Sequence, residues 1–227
     1  MNLKALLRGD RDETLRFLAA PGWRYPGACV LVICGGSGLY GSTVGLWRSP
    51  EQAFYTAIKI PALILLTCAG NAFLNGVLAQ LLGSALSFRQ TWSAILLSFA
   101  AASLILGAFA PIALLVLYNT PALSAANALI GHSIMLVTHV FLIACAGVLG
   151  NQLLLRSLNF LNAPATARRV LFGWLAGNLL LGSQLAWVLR PFIGSPKLLV
   201  QFLRPDPLRG NFYEAVGRAL VHLLFQQ

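Results

Sequence analysis

The chain has 227 residues, 58% of them hydrophobic and only 10% charged, with a mean hydropathy of +0.76. Soluble domains carry about 25% charged residues, so this composition excludes an ordinary water-soluble fold for want of polar surface. The formal net charge of +10 resides in Lys and Arg between apolar blocks, where headgroups and topology rules account for it and nucleic acid is not an expected partner.

The acids are placed with equal economy. Asp10, Asp12, Glu13, Glu51, Asp206 and Glu214 all lie outside five long apolar blocks. A hydrocarbon core needs about 20 apolar residues per helical crossing and heavily penalises a carboxylate. The blocks therefore predict an all-α fold: a polytopic membrane helical bundle of about five transmembrane helices, with interfacial amphipathic helices at both termini. The expected organisation is an N-terminal interfacial segment (1–26), a five-span membrane domain (27–190) and a Pro/Gly-rich tail ending in an amphipathic helix (191–227).

Residues 1–26 mix five basic residues with three acids ahead of the first apolar run, which is not the pattern of a cleavable signal peptide. Leu3, Leu6 and Leu7, then Leu15, Phe17 and Leu18, predict a short helix on the membrane surface, broken or capped by Asp10, Asp12 and Thr14. The first span, about 27–46, carries Gly35, Gly36, Gly38, Gly41 and Gly45. Gly41 and Gly45 form a GxxxG pair suited to close helix packing, with a thin helix lining a pathway as the other reading.

Ser49 is a natural N-cap, Pro50 suits the first helical position, and Gln52 completes a capping-box pattern. The helix begun there runs through Lys59 and Pro61 into a second span, about 60–82. Lys59 has no acid nearby in sequence and is expected to snorkel to the interface on its long stem. Asn71 and Asn75, four apart, share a face that must look inward or towards another subunit; Gln80 follows. Interhelical hydrogen bonding is the simpler role for these amides, and a polar lining for a solute is the sharper one.

The third span, about 92–118, is long enough to tilt and carries Gly107 and Pro111 as kink signals. The fourth, about 125–149, holds His132 and His139 on nearly the same face, without the acid or cysteine partners a metal site would need. A polar connection is expected over 150–169. The fifth span, about 170–189, contains a second GxxxG pair, Gly173 and Gly177, with Asn178 and Gln184 as its polar residues. Beyond Arg190 the prolines and glycines forbid a continuous helix, and 193–203 reads as a surface or re-entrant segment. Asn211, with Glu214 three residues on, caps a final amphipathic helix: Phe212, Val216, Ala219, Leu220 and Leu223 form one face, Glu214, Arg218 and His222 another.

Lys and Arg near the span ends total nine on the side of the N-terminus and seven on the other, favouring a cytoplasmic N-terminus. Five spans place the tail's five basic residues outside, which conflicts with the same rule. Cys29, Cys34, Cys68 and Cys145 fall inside apolar blocks without CxxC spacing and read as packing residues.

No HExxH, GxSxG, Walker or paired-carboxylate pattern occurs, and Ser133 beside His132 points away from it on a helix. The expectation is a non-enzymatic protein with no catalytic residue, cofactor or metal. The five-span plan with Gly38-Leu39-Tyr40-Gly41 in its first span resembles bacterial members of the Yip1-like membrane proteins over 25–190, and departs from them in its long basic tail. That resemblance implies a scaffolding or membrane-organising role. The tail, with Arg190-Pro191-Phe192-Ile193-Gly194-Ser195-Pro196, is similar to a signature of bacterial polytopic inner-membrane proteins and brings no activity with it. The sequence thus predicts a subunit or scaffold of a larger assembly whose partners are the bilayer and other membrane subunits, or a second copy of itself. The rival is a small channel or facilitative carrier, which requires Asn71, Asn75, His132, His139 and Asn178 to converge on one cavity.

Overall fold

A computed structural model of the chain describes residues 8–20, 22–84, 86–124 and 126–225. Among them are seven helices and no strand: α1 (Arg11–Ala19), α2 (Arg24–Leu46), α3 (Pro50–Leu81), α4 (Phe88–Asn119), α5 (Ala128–Leu161), α6 (Pro164–Val188) and α7 (Phe212–Phe225). Helices α2 to α6 are each long and apolar enough to cross a bilayer. The chain is a multi-pass integral membrane protein with an all-α bundle. At 32 residues apiece, α3 and α4 reach about 48 Å, well beyond a 30 Å hydrocarbon core.

Two ends of the bundle are tied by hydrogen bonds between connections. At one end, Trp47 Nε1 donates to the Pro121 carbonyl at 3.1 Å, and Arg48 donates to the carbonyl of Leu198 in the tail. At the other, Ser84 Oγ bonds Asn162 Oδ1 at 2.8 Å, Arg89 donates to the carbonyls of Ala19 and Ala20, and Arg156 donates to that of Arg8. The tail and the N-terminal segment therefore sit at opposite ends. Helix α1 is capped by Asp10, which accepts from the Glu13 amide, and buries Thr14, Phe17 and Leu18 against the bundle. Leu3, Leu6 and Leu7 lie outside the described residues.

Small residues set the tightest approaches. A Cβ on Gly41 would lie 2.6 Å from the Thr56 carbonyl oxygen, and one on Gly45 would strike the backbone of Gln52. On another side of α2, Gly36 meets the backbone of Ser103 in α4 and faces Gly107. Backbones that touch in this way exchange dispersion contacts that no pair of Leu-bearing helices reaches.

Two expectations need correction. The 150–169 connection does not exist as such: α5 continues to Leu161 and α6 begins at Pro164, leaving Asn162 and Ala163 as the turn. The added turns bury Leu153, Leu154 and Leu158 against the bundle, and Arg156 donates from them to the N-terminal segment. The Ser49 capping box is also incomplete. Ser49 Oγ does accept from the Gln52 amide at 3.1 Å, but the Gln52 side chain is drawn away into the bundle. A complete box forms instead at Ser87 and Gln90.

Candidate functional site

The chain's densest buried polar chemistry lies along one helix. Gln52, Thr56, Lys59, Thr67, Asn71 and Asn75 of α3 follow steps of three, four or eight residues and are all buried. Because 3.6 does not divide four, the stripe winds slowly around α3. Its first half faces the tail and its second half faces α6.

The first half is held by the tail backbone. Gln52 Nε2 donates to the carbonyls of Pro191 at 2.9 Å and Phe192 at 3.0 Å. Thr56 Oγ1 donates at 2.7 Å to the Phe192 carbonyl, and Lys59 Nζ at 2.9 Å to that of Pro191. The expected snorkelling of Lys59 does not occur: the residue is 1% exposed. The tail folds over it, with the ammonium 4.8 Å from the Phe202 ring centroid and 5.9 Å from that of Phe192. A desolvated cation over an aromatic face gains about 2 kcal/mol, which helps offset the missing carboxylate. Pro191, Ile193 and Gly194 are buried, while Lys197 to Leu199 remain exposed. The 193–203 segment is thus sunk into the bundle at its start and superficial at its end.

The second half of the stripe is packed but not hydrogen-bonded. Neither amide atom of Asn71 has a partner, nor do Asn75 Nδ2, Thr67 Oγ1, Trp174 Nε1 and Asn178 Oδ1. Gly177 supplies the room: a Cβ there would lie 3.3 Å from Asn71 Oδ1 and 3.6 Å from Asn75 Oδ1. Gly173 similarly admits Leu78. Each buried polar group without a partner costs about 1–3 kcal/mol, so this seam is suited to water or a small hydrogen-bonding guest.

The other predicted polar residues lie elsewhere. His139 shares a 2.7 Å hydrogen bond between Nδ1 and the Tyr40 hydroxyl, with its ring edge-on to that of Tyr40. Its Nε2 has no partner. His132 stands one turn-pair away, tilted against Trp47 at 6.1 Å between ring centroids. Gln184 is exposed on the outside of α6. The structure therefore sets Asn71 and Asn75 together against Gly177, leaves the neighbouring Asn178 with an unpartnered Oδ1, keeps the two histidines at α2–α5, and exposes Gln184. Among the described residues, no three His, Cys, Asp or Glu side chains form a metal-holding group.

Sequence reading missed Gln52, Thr56 and Thr67 as members of one buried face. The signal was present: positions 52, 56, 59, 63, 67, 71 and 75 recur at helical spacing, interrupted only by Leu63. At the opposite end of the bundle, an open and almost wholly apolar groove of about 590 Å³ is lined by residues including Trp23, Arg24, Leu31 and Trp92. It lies away from the polar stripe. Comparison with protein-family models, with curated proteins and with solved structures finds no match for this chain.

Proposed function

We propose that the chain is a non-enzymatic subunit or scaffold of a larger membrane assembly, set in a bacterial inner membrane with its N-terminus cytoplasmic. One observation carries the reading. Only 11% of the apolar window of α6 is buried in the bundle, against 33% to 44% for the other four spans. Its outer side presents Phe172, Leu179 and Leu180 together with the polar Ser183 and Gln184. Lipid covers the apolar residues well, but an amide near the hydrocarbon is better met by another helix. Leu220, Val221, Leu224 and Phe225 of α7 extend the apolar surface; Leu220, grouped by periodicity with the packed face, is 41% exposed. The Yip1-like layout supports the same role.

The test is cysteine cross-linking from Leu180 and Gln184 in native membranes, with purification in mild detergent. A specific cross-linked species, lost on moving the cysteine to a buried position of α6, is expected. A lone monomer that conducts solute in liposomes would sink the proposal. That second outcome belongs to the carrier reading, which the unpartnered amides of Asn71 and Asn75 favour.

A further inference from the structure

The tail end of the bundle concentrates positive charge without matching acids. Arg48, Lys59, Arg190 and Arg204 are all drawn into one knot around the sunken segment. Lys59 bonds the Pro191 carbonyl, the stem of Arg48 packs on Gly194, and Arg204 reaches the Leu199 carbonyl and Gln201. Among the described residues the ion pairs are Arg16–Glu13 and Arg218–Glu214, so none of these four cations has one. The nearest acids are otherwise engaged or distant in effect: Glu51 accepts from the Tyr55 hydroxyl, and Asp206 draws on Arg190.

The four do not have the same freedom. Arg190 is saturated, donating to the carbonyls of Trp187, Asp206, Pro207 and Arg209 and lying 4.0 Å over the Trp187 ring. Lys59 is sealed beneath the tail. Arg48 and Arg204 keep unused donors. Arg48 spends one nitrogen on Leu198, while its Nε is buried without a partner. Arg204 spends only Nη1, at 3.3 and 3.4 Å. Burial, then the neighbouring Arg190 and Arg48, push the Arg204 pKa below its usual value. Within this partly buried group of like charges Asp206 acts on Arg190, and Arg48 and Arg204 form no ion pair.

We propose that Arg48 and Arg204 form a binding site for a phosphate group at the tail end of the bundle, with Lys59 and Arg190 supplying the surrounding positive field. Guanidinium forks match phosphate oxygens in paired, charge-assisted hydrogen bonds. The pair stands where α2 has ended, α3 begins and α6 has ended, the level at which phospholipid headgroups lie. Basic pockets at the ends of membrane helices take anionic headgroups by this chemistry. A free phosphate offers the same oxygens, so the experiment must separate the two sources.

The full chain in neutral detergent is titrated with short-chain phosphatidic acid, with short-chain phosphatidylcholine and with inorganic phosphate, and its thermal midpoint is followed. Phosphatidic acid is expected to raise the midpoint saturably, and phosphatidylcholine much less. A rise with inorganic phosphate as well identifies a free anion as sufficient; a rise with the lipid alone identifies the headgroup. R204Q should weaken the apparent affinity about tenfold, the loss expected for one charged hydrogen bond, and R204K should recover part of it. Because the unliganded cations repel one another, R204Q should also unfold at a higher temperature than the parent when no anion is present. The double variant R168Q/R169Q, at the other end of the bundle, should bind as the parent does. Equal shifts in the parent and R204Q, or loss of the shift in R168Q/R169Q as well, would overturn the site. So would the absence of any shift with both phosphatidic acid and phosphate.

Discussion

The two halves of the α3 stripe are built from similar side chains and solved differently. In the first half Gln52, Thr56 and Lys59 all donate to tail carbonyls, and only Gln52 Oε1 is left unmet; Thr67, Asn71 and Asn75 face α6 and make no hydrogen bond to it. The cause lies in the neighbour. A non-helical segment such as 191–194 has carbonyls that no ladder consumes, and they can turn towards a donor. Helix α6 directs its carbonyls along its own axis, so the Gly177 face offers the amides space without presenting an acceptor to them. An irregular tail is therefore a better lid for buried donors than another helix is.

The largest predicted effect comes from forcing α2 away from α3, which carries the stripe. G45V would drive a branched side chain into the backbone of Gln52, where the approach leaves no room for a Cβ. Overpacking of this kind should cost about 3 kcal/mol, read as a lower unfolding midpoint in detergent. It should also loosen the tail, seen as faster proteolysis after Lys197 and Arg204. If the tail remains protected while the midpoint falls, the stripe is held by the tail alone and not by α2.

Next in size is Q52L, which removes the donor shared by Pro191 and Phe192. The neighbouring Lys59 and Thr56 still reach those carbonyls, so the cost should be about 2 kcal/mol, less than two isolated hydrogen bonds with stranded partners. S87A is smaller, about 1 kcal/mol, because it removes one N-cap. These two sites share the sequence pattern Ser-x-x-Gln. Only the second closes a box, and only because nothing competes for Gln90.

That pair shows where sequence stops informing. Five acid-free blocks identify the spans, since hydrocarbon tolerates little else. The caps at Asp10, Ser49 and Asn211 follow from local chemistry and form as the residues dictate. The diversion of Gln52, by contrast, depends on main-chain carbonyls some 140 positions away, and carbonyls carry no residue signature. The same holds for Lys59: its expected route to water assumed an open interface, and the tail closes it. Helix α5 outran its apolar block, and Arg156 in the added turns donates to the carbonyl of Arg8, again a main-chain partner. The amide seam was half legible. Asn71 and Asn75 pointed inward by spacing alone, but that Gly177 would face them depended on how α6 packs.

The smallest predicted effect discriminates most. N71L replaces an amide with two unpartnered atoms by an apolar side chain of the same branched outline, though bulkier, in the same helix. Removing an unmet polar group in this way is expected to be neutral or stabilising, by up to about 1 kcal/mol, the opposite sign to Q52L on the same face. Parallel thermal unfolding of the two variants tests the sign directly. A clear loss of stability in N71L would mean that its amide is bonded in the membrane, by water or a guest in the seam. The same variant reads function: in liposomes loaded with small neutral solutes, a stable N71L that abolishes flux seen in the parent would favour the carrier. Unchanged behaviour, with cross-links from Leu180 and Gln184 intact, leaves the seam as packing and the outer side of α6 as the working surface.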